Sequence, residues 1–212
     1  MSGEAQARQD IVRLGKSLFE RGLTSGSSGN MSVRLDDGFL FTPTNSCLGF
    51  LEAERLSKLS SKGEYLSGDK PTKEMPLHFG FYEARPQAGA VVHLHSTHAT
   101  LLSCLADTDP EDAIPPITPY AVMRVGCVPV VPYTRPGDIA VKALIEGKAP
   151  AHPAILLANH GPVVAGESLE AAVFALEELE ETARLLVLAR GMQVRHLTAE
   201  QVADLQKRFP LR

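Results

Sequence analysis

With 212 residues, 44% hydrophobic and 22% charged, the chain has enough apolar surface for one globular α/β domain spanning residues 1–212 with a substantial core. A formal net charge of −4 excludes the basic stripe that nucleic-acid binding requires, so an anionic ligand must be met by local groups. Cys47, Cys104 and Cys127 are odd in number, far apart and in no CxxC pair, which predicts a reducing, cytoplasmic setting; no apolar run is long enough for a signal peptide or a membrane span.

Ile11, Leu14 and Leu18 recur at helical spacing between Glu4 and Arg21, and Gly22 is a suitable stop. The polar stretch from Thr24 to Asn30 then feeds a predicted hairpin, Met31 to Leu35 and Phe39 to Phe41 around Asp37-Gly38; a weaker hairpin turns at Lys62-Gly63. A helix is expected from Lys73 to Ala84, ending before Pro86, and Ala90 to His95 is a β-rich run. The proline-rich stretch from Asp109 to Pro119 is long for a mere connection. After it come a strand at Val128 to Val131, a helix from Asp138 to Glu146 and an apolar strand from Ala154 to Ala158. Ser168 to Arg190 reads as an amphipathic helix with Phe174, Leu179 and Leu186 on the core side and Glu177, Glu178, Glu180 and Glu181 on a solvated face. Hairpins mixed with helices predict a mixed or antiparallel sheet covered by helices, not a doubly wound parallel one.

The strongest chemical signal is His93-Leu94-His95, since side chains two apart on a strand face the same way and can grip one ion. His160, in Asn159-His160-Gly161 directly after an apolar strand, is the candidate third ligand, and three imidazoles leave a coordination position open. Glu74 opens a helix, where a carboxylate serves either as a cap or as an acid/base or ligand beside a metal. His78 reads as a packed helix residue, and His98, His152 and His196 have no paired spacing, so all four are left out of the metal site. Ser28-Gly29-Asn30, Thr42-Pro43-Thr44-Asn45 and Thr72-Lys73 together could form an anion cradle of backbone N–H groups, hydroxyls, amides and one ammonium.

In this order the motifs resemble the class II aldolase and adducin family of sugar-phosphate aldolases and epimerases, over nearly the whole chain. The resemblance implies a three-layer α/β/α sandwich with a mostly antiparallel central sheet, assembled as a homotetramer with sites between subunits. It implies one divalent metal ion per subunit on His93, His95 and His160, usually Zn2+ with Mn2+ or Co2+ as substitutes. Glu74 would be the acid/base and a displaceable fourth ligand; Asn30, Thr44, Asn45, Thr72 and Lys73 would bind phosphate. Tyr120 stands near the position of a tyrosine that the aldolases bring from a neighbouring subunit.

Thr44-Asn45 and Thr72-Lys73 depart from the sugar aldolases and imply a more acidic ligand, whose carboxylate Arg124 and Arg135 could meet. The pattern is most similar to the branch that decarboxylates 3-oxo-tetronate 4-phosphates, with an aldolase or epimerase as the alternative. A non-catalytic module of the adducin kind is disfavoured by the retained Glu74 and histidines. A cupin is disfavoured by the missing glutamate after His95.

Overall fold

The computed structural model describes residues 3–211. One sheet holds β1 (Asn30–Leu35), β2 (Gly38–Phe41), β3 (Ser57–Ser60), β4 (Tyr65–Ser67), β5 (Ala90–His93), β6 (Val130–Val131), β7 (Ala154–Leu157) and β8 (Gly161–Gly166). The strand order is β4-β3-β2-β1-β5-β8-β7-β6, antiparallel throughout except for β6 against β7. Around it lie α1 (Gly3–Glu20), α2 (Met75–Ala84), α3 (Thr97–Cys104), α4 (Pro119–Arg124), α5 (Ala140–Lys148), α6 (Leu169–Leu188) and α7 (Ala199–Arg208).

β2 and β7 are apolar at every position and β5 is apolar up to His93, because both faces of the sheet are covered, while β1 alternates apolar and polar residues. Met31, Leu40, Val92, Leu156 and Val164 face Ile11, Leu14 and Leu18 of α1 and Val173, Leu176 and Leu179 of α6. Their neighbours Phe41, Val91, Ile155 and Val163 face Leu77 and Phe81 of α2 and Val141 and Ile145 of α5. Each such side chain contributes about 1.5–3 kcal/mol on burial, enough for the apolar faces alone to set the three layers.

The structure departs from expectation in several places. β5 closes at His93, so His95 lies just beyond the strand. α2 begins at Met75 instead of Lys73, with Pro76, which lacks an N–H, inside its first turn. Strand β8 and helices α3, α4 and α7 had no counterpart in the pattern reading, although the α7 capping box of Thr198 and Gln201 is a sequence-level signal. The proline-rich stretch is pinned by Asp112, whose Oδ1 accepts from the backbone N–H groups of Ile114 and Val128 at 3.2 and 3.1 Å.

Helix α6 departs most. Its buried stripe runs through Ala172, Leu176, Leu179 and Ala183, while Phe174 is 46% exposed. At about 100° per residue Phe174 lies roughly 160° round the axis from that stripe, a displacement that isolated apolar spacing did not resolve. Leu179 is buried and Leu186 packs at the core margin as expected. Glu180 is buried and not solvated: its carboxylate accepts from the His98 N–H at 2.9 Å, the Ala99 N–H at 2.9 Å and His98 Nδ1 at 2.8 Å. These backbone donors are orphans of the first turn of α3, whose N-cap Ser96 offers them no side-chain bond. Glu180 thereby seats α3 immediately after His95.

Glu180→Ala should therefore lower the unfolding free energy by about 2–4 kcal/mol, the value of lost charge-assisted bonds to a buried helix end. Glu181→Ala, in an exposed ion pair with Arg184, should stay within about 0.5 kcal/mol. Urea denaturation at neutral pH checks both; equal effects would remove the capping role.

Candidate active site

His93 ends the central strand fully buried, and its Nδ1 lies 2.8 Å from the carbonyl oxygen of Pro162 on β8. A carbonyl only accepts, so Nδ1 carries the hydrogen and Nε2 keeps its lone pair. The chain leaves the sheet there, and His95 returns its own Nε2 to within 3.2 Å of His93 Nε2. His160 comes from the opposite side, in the tight turn between β7 and β8. Asn159 takes φ 57° in that turn, and a Cβ on Gly161 would stand 2.6 Å from Leu94 O, so only glycine fits. The rings sit with centroids 4.8–5.0 Å apart, and one nitrogen from each lies within 4.8 Å of the others.

Burial lowers the pKa of all three imidazoles, that of His93 to about 4, so each is neutral near pH 7. Neutral ring nitrogens that converge while facing one another are a donor set suited to a divalent cation. Glu74 holds the N-cap position of α2 without capping it. Its carboxylate instead turns to the histidines, Oε2 3.6 Å from His93 Nε2 and Oε1 3.4 Å from His160 Nε2, and accepts from Asn30 Nδ2 at 2.8 Å. Burial pushes the Glu74 carboxyl up, but the facing imidazoles and the Asn30 bond outweigh it and hold the group below the usual carboxylate range.

A cavity of about 290 Å³ opens beside this cluster, and its lining includes Gly29, Asn30, Thr44, Asn45, Thr72, Lys73, Glu74, His95, Pro136 and His160. Its two loops are tied together: Pro43 bridges Pro71, the Thr44 N–H bonds Lys70 O at 2.9 Å, and the Thr72 N–H bonds Thr42 O at 3.1 Å. Those two N–H groups are thus spent on the fold. An anion cradle here must draw on the hydroxyls, the Asn45 amide and the Lys73 ammonium more than on the backbone. Asn45 takes φ 56°, a left-handed conformation that asparagine tolerates.

Tyr120, Arg124 and Arg135 are not among the cavity-lining residues. Tyr120 is 54% exposed on α4 with the Arg124 guanidinium 5.7 Å from its ring centroid. Arg135 is exposed, 3.7 Å from Asp138, although its neighbour Pro136 lines the cavity. His78 lies outside the histidine cluster, as expected, but it is more than packing: fully buried, it bonds Asn30 Oδ1 and Ser32 Oγ.

Burial lowers the His78 pKa from 6.5 to about 3. The unfolded chain therefore binds one more proton than the folded chain between those values. The contribution to stability is complete above pH 6.5 and shrinks as pH falls, by about 1.4 kcal/mol per unit. Metal-free protein should lose at least roughly 2 kcal/mol between pH 6.5 and 5, and His78→Gln should recover about that much of the slope. Urea titrations at the two pH values measure this; a wild-type stability that stayed flat would contradict a buried neutral His78.

A model of the Class II Aldolase and Adducin N-terminal domain matches residues 9–187. The chain is 54% identical over 206 residues to the 3-oxo-tetronate 4-phosphate decarboxylase of Pectobacterium atrosepticum, covering 97% of this chain and 94% of that one. It is 33% identical to the L-fuculose phosphate aldolase of Haemophilus influenzae over 97% of this chain and 94% of the aldolase. The crystal structure of YgbL from Klebsiella pneumoniae superposes with a TM-score of 0.93 at 51% identity, covering 97% of this chain and 100% of that one.

Proposed function

The chain belongs to the class II aldolase and adducin N-terminal domain family, and from that premise we propose that it decarboxylates a 3-oxo-tetronate 4-phosphate to dihydroxyacetone phosphate and CO2. The observation that carries this reading is the convergence of three neutral imidazoles and Glu74 on one side of a cavity whose other side offers Lys73, Thr44 and Asn45. The greater likeness to a decarboxylase, 54% against 33% for an aldolase, favours carboxyl over aldehyde release.

His93, His95 and His160 would hold one divalent ion, Zn2+ in preference to Mn2+ or Co2+ on an all-imidazole donor set. When bound, it supplies Lewis-acid stabilisation of the negative charge that develops on the substrate oxygens. Lys73, Thr44, Asn45, Thr72 and Asn30 anchor the phosphate, which fixes the reacting carbons against the histidines. The C1–C2 bond then breaks, its electron pair passes toward the C3 carbonyl, and C1 departs as CO2. C2 next requires a proton, drawn in net terms from solvent. Glu74, the one carboxylate among the described cavity-lining residues, is placed to hand it on.

Arg124 and Arg135 are assigned to the substrate carboxylate, and Tyr120 is the alternative to Glu74 as donor of that proton. Because Tyr120 and Arg124 of α4, and Arg135, do not line the cavity of their own chain, these roles require a neighbouring subunit, as in a homotetramer with shared sites. No helix among the described residues is long and apolar enough to cross a membrane, and we assign the enzyme to the cytoplasm.

Metal-loaded protein given 3-oxo-tetronate 4-phosphates should release CO2 and dihydroxyacetone phosphate in equal amounts. Aldehyde release from L-fuculose phosphate, or epimerisation of L-ribulose phosphate, without that CO2 would return the chain to the sugar-phosphate branch. His95→Ala should lose both bound metal and turnover. Glu74→Gln should keep metal yet lose on the order of 10²-fold or more in kcat, the usual contribution of a positioned acid/base. Full turnover by metal-free His95→Ala would sink the mechanism.

A further inference from the structure

A second polar stripe runs away from the histidine cluster, between β1 and α2. On β1, Asn30, Ser32 and Arg34 alternate and so share a face; on the other side Glu74, His78 and Tyr82 recur every four residues. Two strand residues advance about 6.8 Å and four helical residues about 6 Å, so the two stripes meet rung by rung. Asn30 Nδ2 donates to Glu74 Oε2 at 2.8 Å, and Asn30 Oδ1 lies 2.5 Å from His78 Nε2. Ser32 Oγ lies 2.8 Å from His78 Nδ1 and 2.8 Å from the Tyr82 hydroxyl. Arg34 closes the far end, donating to Tyr82 O at 2.8 Å with its guanidinium 4.8 Å from the Tyr82 ring centroid. Asn30, Ser32, His78 and Tyr82 are all buried.

With Glu74 ionised, only one polarity satisfies every rung. A carboxylate only accepts, so Asn30 presents its NH2, and its carbonyl oxygen then needs a donor. His78 Nε2–H supplies it. The same neutral ring leaves Nδ1 as an acceptor, Ser32 donates to it, and the Tyr82 hydroxyl donates to Ser32. A doubly protonated His78 would turn an N–H toward Ser32 and break the sequence. The amide of Asn30 is a poor proton conductor, so the ladder orients groups and does not shuttle protons.

We propose that Tyr82, Ser32 and His78 are positioning residues that act through Asn30 to hold the Glu74 carboxylate at its working angle. The inference rests on the assignment of Glu74 as the proton carrier.

Two variants of the metal-loaded full chain test it, with ¹⁵N NMR of His78 as a readout independent of turnover. His78→Leu, which removes two rungs, should lower kcat about tenfold or more with KM within about twofold and metal content unchanged, the range seen when outer partners of a reactive group are lost. His78→Gln, which can still donate to Asn30, should recover part of that loss. Tyr82→Phe deletes one hydroxyl that does not line the cavity and should lower kcat a few-fold, keeping the test open should His78→Leu fold poorly. In a Glu74→Gln background neither change should lower the rate further, because residues acting as one unit are not additive. His78 should show the neutral Nε2–H tautomer. Full additivity with Glu74→Gln, or an Nδ1–H or charged His78 at neutral pH, would overturn the ladder. A fully active Glu74→Gln would instead overturn the catalytic reading, leaving the His78 tautomer to decide the ladder as a structural feature.

Discussion

The constraint on which this structure depends is the cost of burying polar groups beside a reaction site. His93 is fully buried and Glu74 nearly so, and an unpaired buried carboxylate or imidazole would cost several kcal/mol. The strand order answers this directly. β5 lies between β1 and β8, so the pairing that places Asn30 opposite His93 on one side also places the Pro162 carbonyl against the ring on the other. One sheet register thus orients the imidazole and supplies the partner of the carboxylate.

The remaining elements fix the approach of the groups that cannot sit on that strand. His95 follows the strand end and is steadied by α3, whose first turn is capped from α6 by Glu180. His160 depends on a turn with Asn159 in the left-handed region and a glycine pressed against Leu94. Glu74 depends on the seating of α2, where the polar stripe of β1 and the apolar contacts of Leu77 and Phe81 impose one register. The site is consequently rigid on its histidine side. Its open mouth is bordered by His95, Lys73 and Asn45, all three exposed.

Charge is distributed in the same local manner. The chain's net charge is −4, and at the cavity Lys73 stands beside Glu74 between two loops laced together by backbone bonds. Lacing consumes the N–H groups of Thr44 and Thr72, so the cavity presents hydroxyls, the Asn45 amide and the Lys73 ammonium more than those two backbone groups.

Much of this was legible in sequence because it depends on near neighbours. The apolar spacing of Ile11, Leu14 and Leu18, the turns at Asp37-Gly38 and Lys62-Gly63 and the strand from Ala154 are properties of short windows, and the structure bears them out; His93 and His95 do meet, but with His95 beyond the strand that their spacing implied. His160 and Glu74 were candidates from their own settings, a loop after an apolar strand and the start of a helix, but no short window contains their convergence on that pair. What the tertiary structure alone decided were the partners of polar residues far apart in the chain. Glu180 reads as one of four surface acids until α3, more than eighty positions earlier, presents its first turn to it. His78 reads as helix packing until β1 meets it with Asn30 and Ser32. Periodicity reports which face of an element is buried, but a hydrogen-bond partner is set by how distant elements are registered against one another, and that register exists only once the layers have packed.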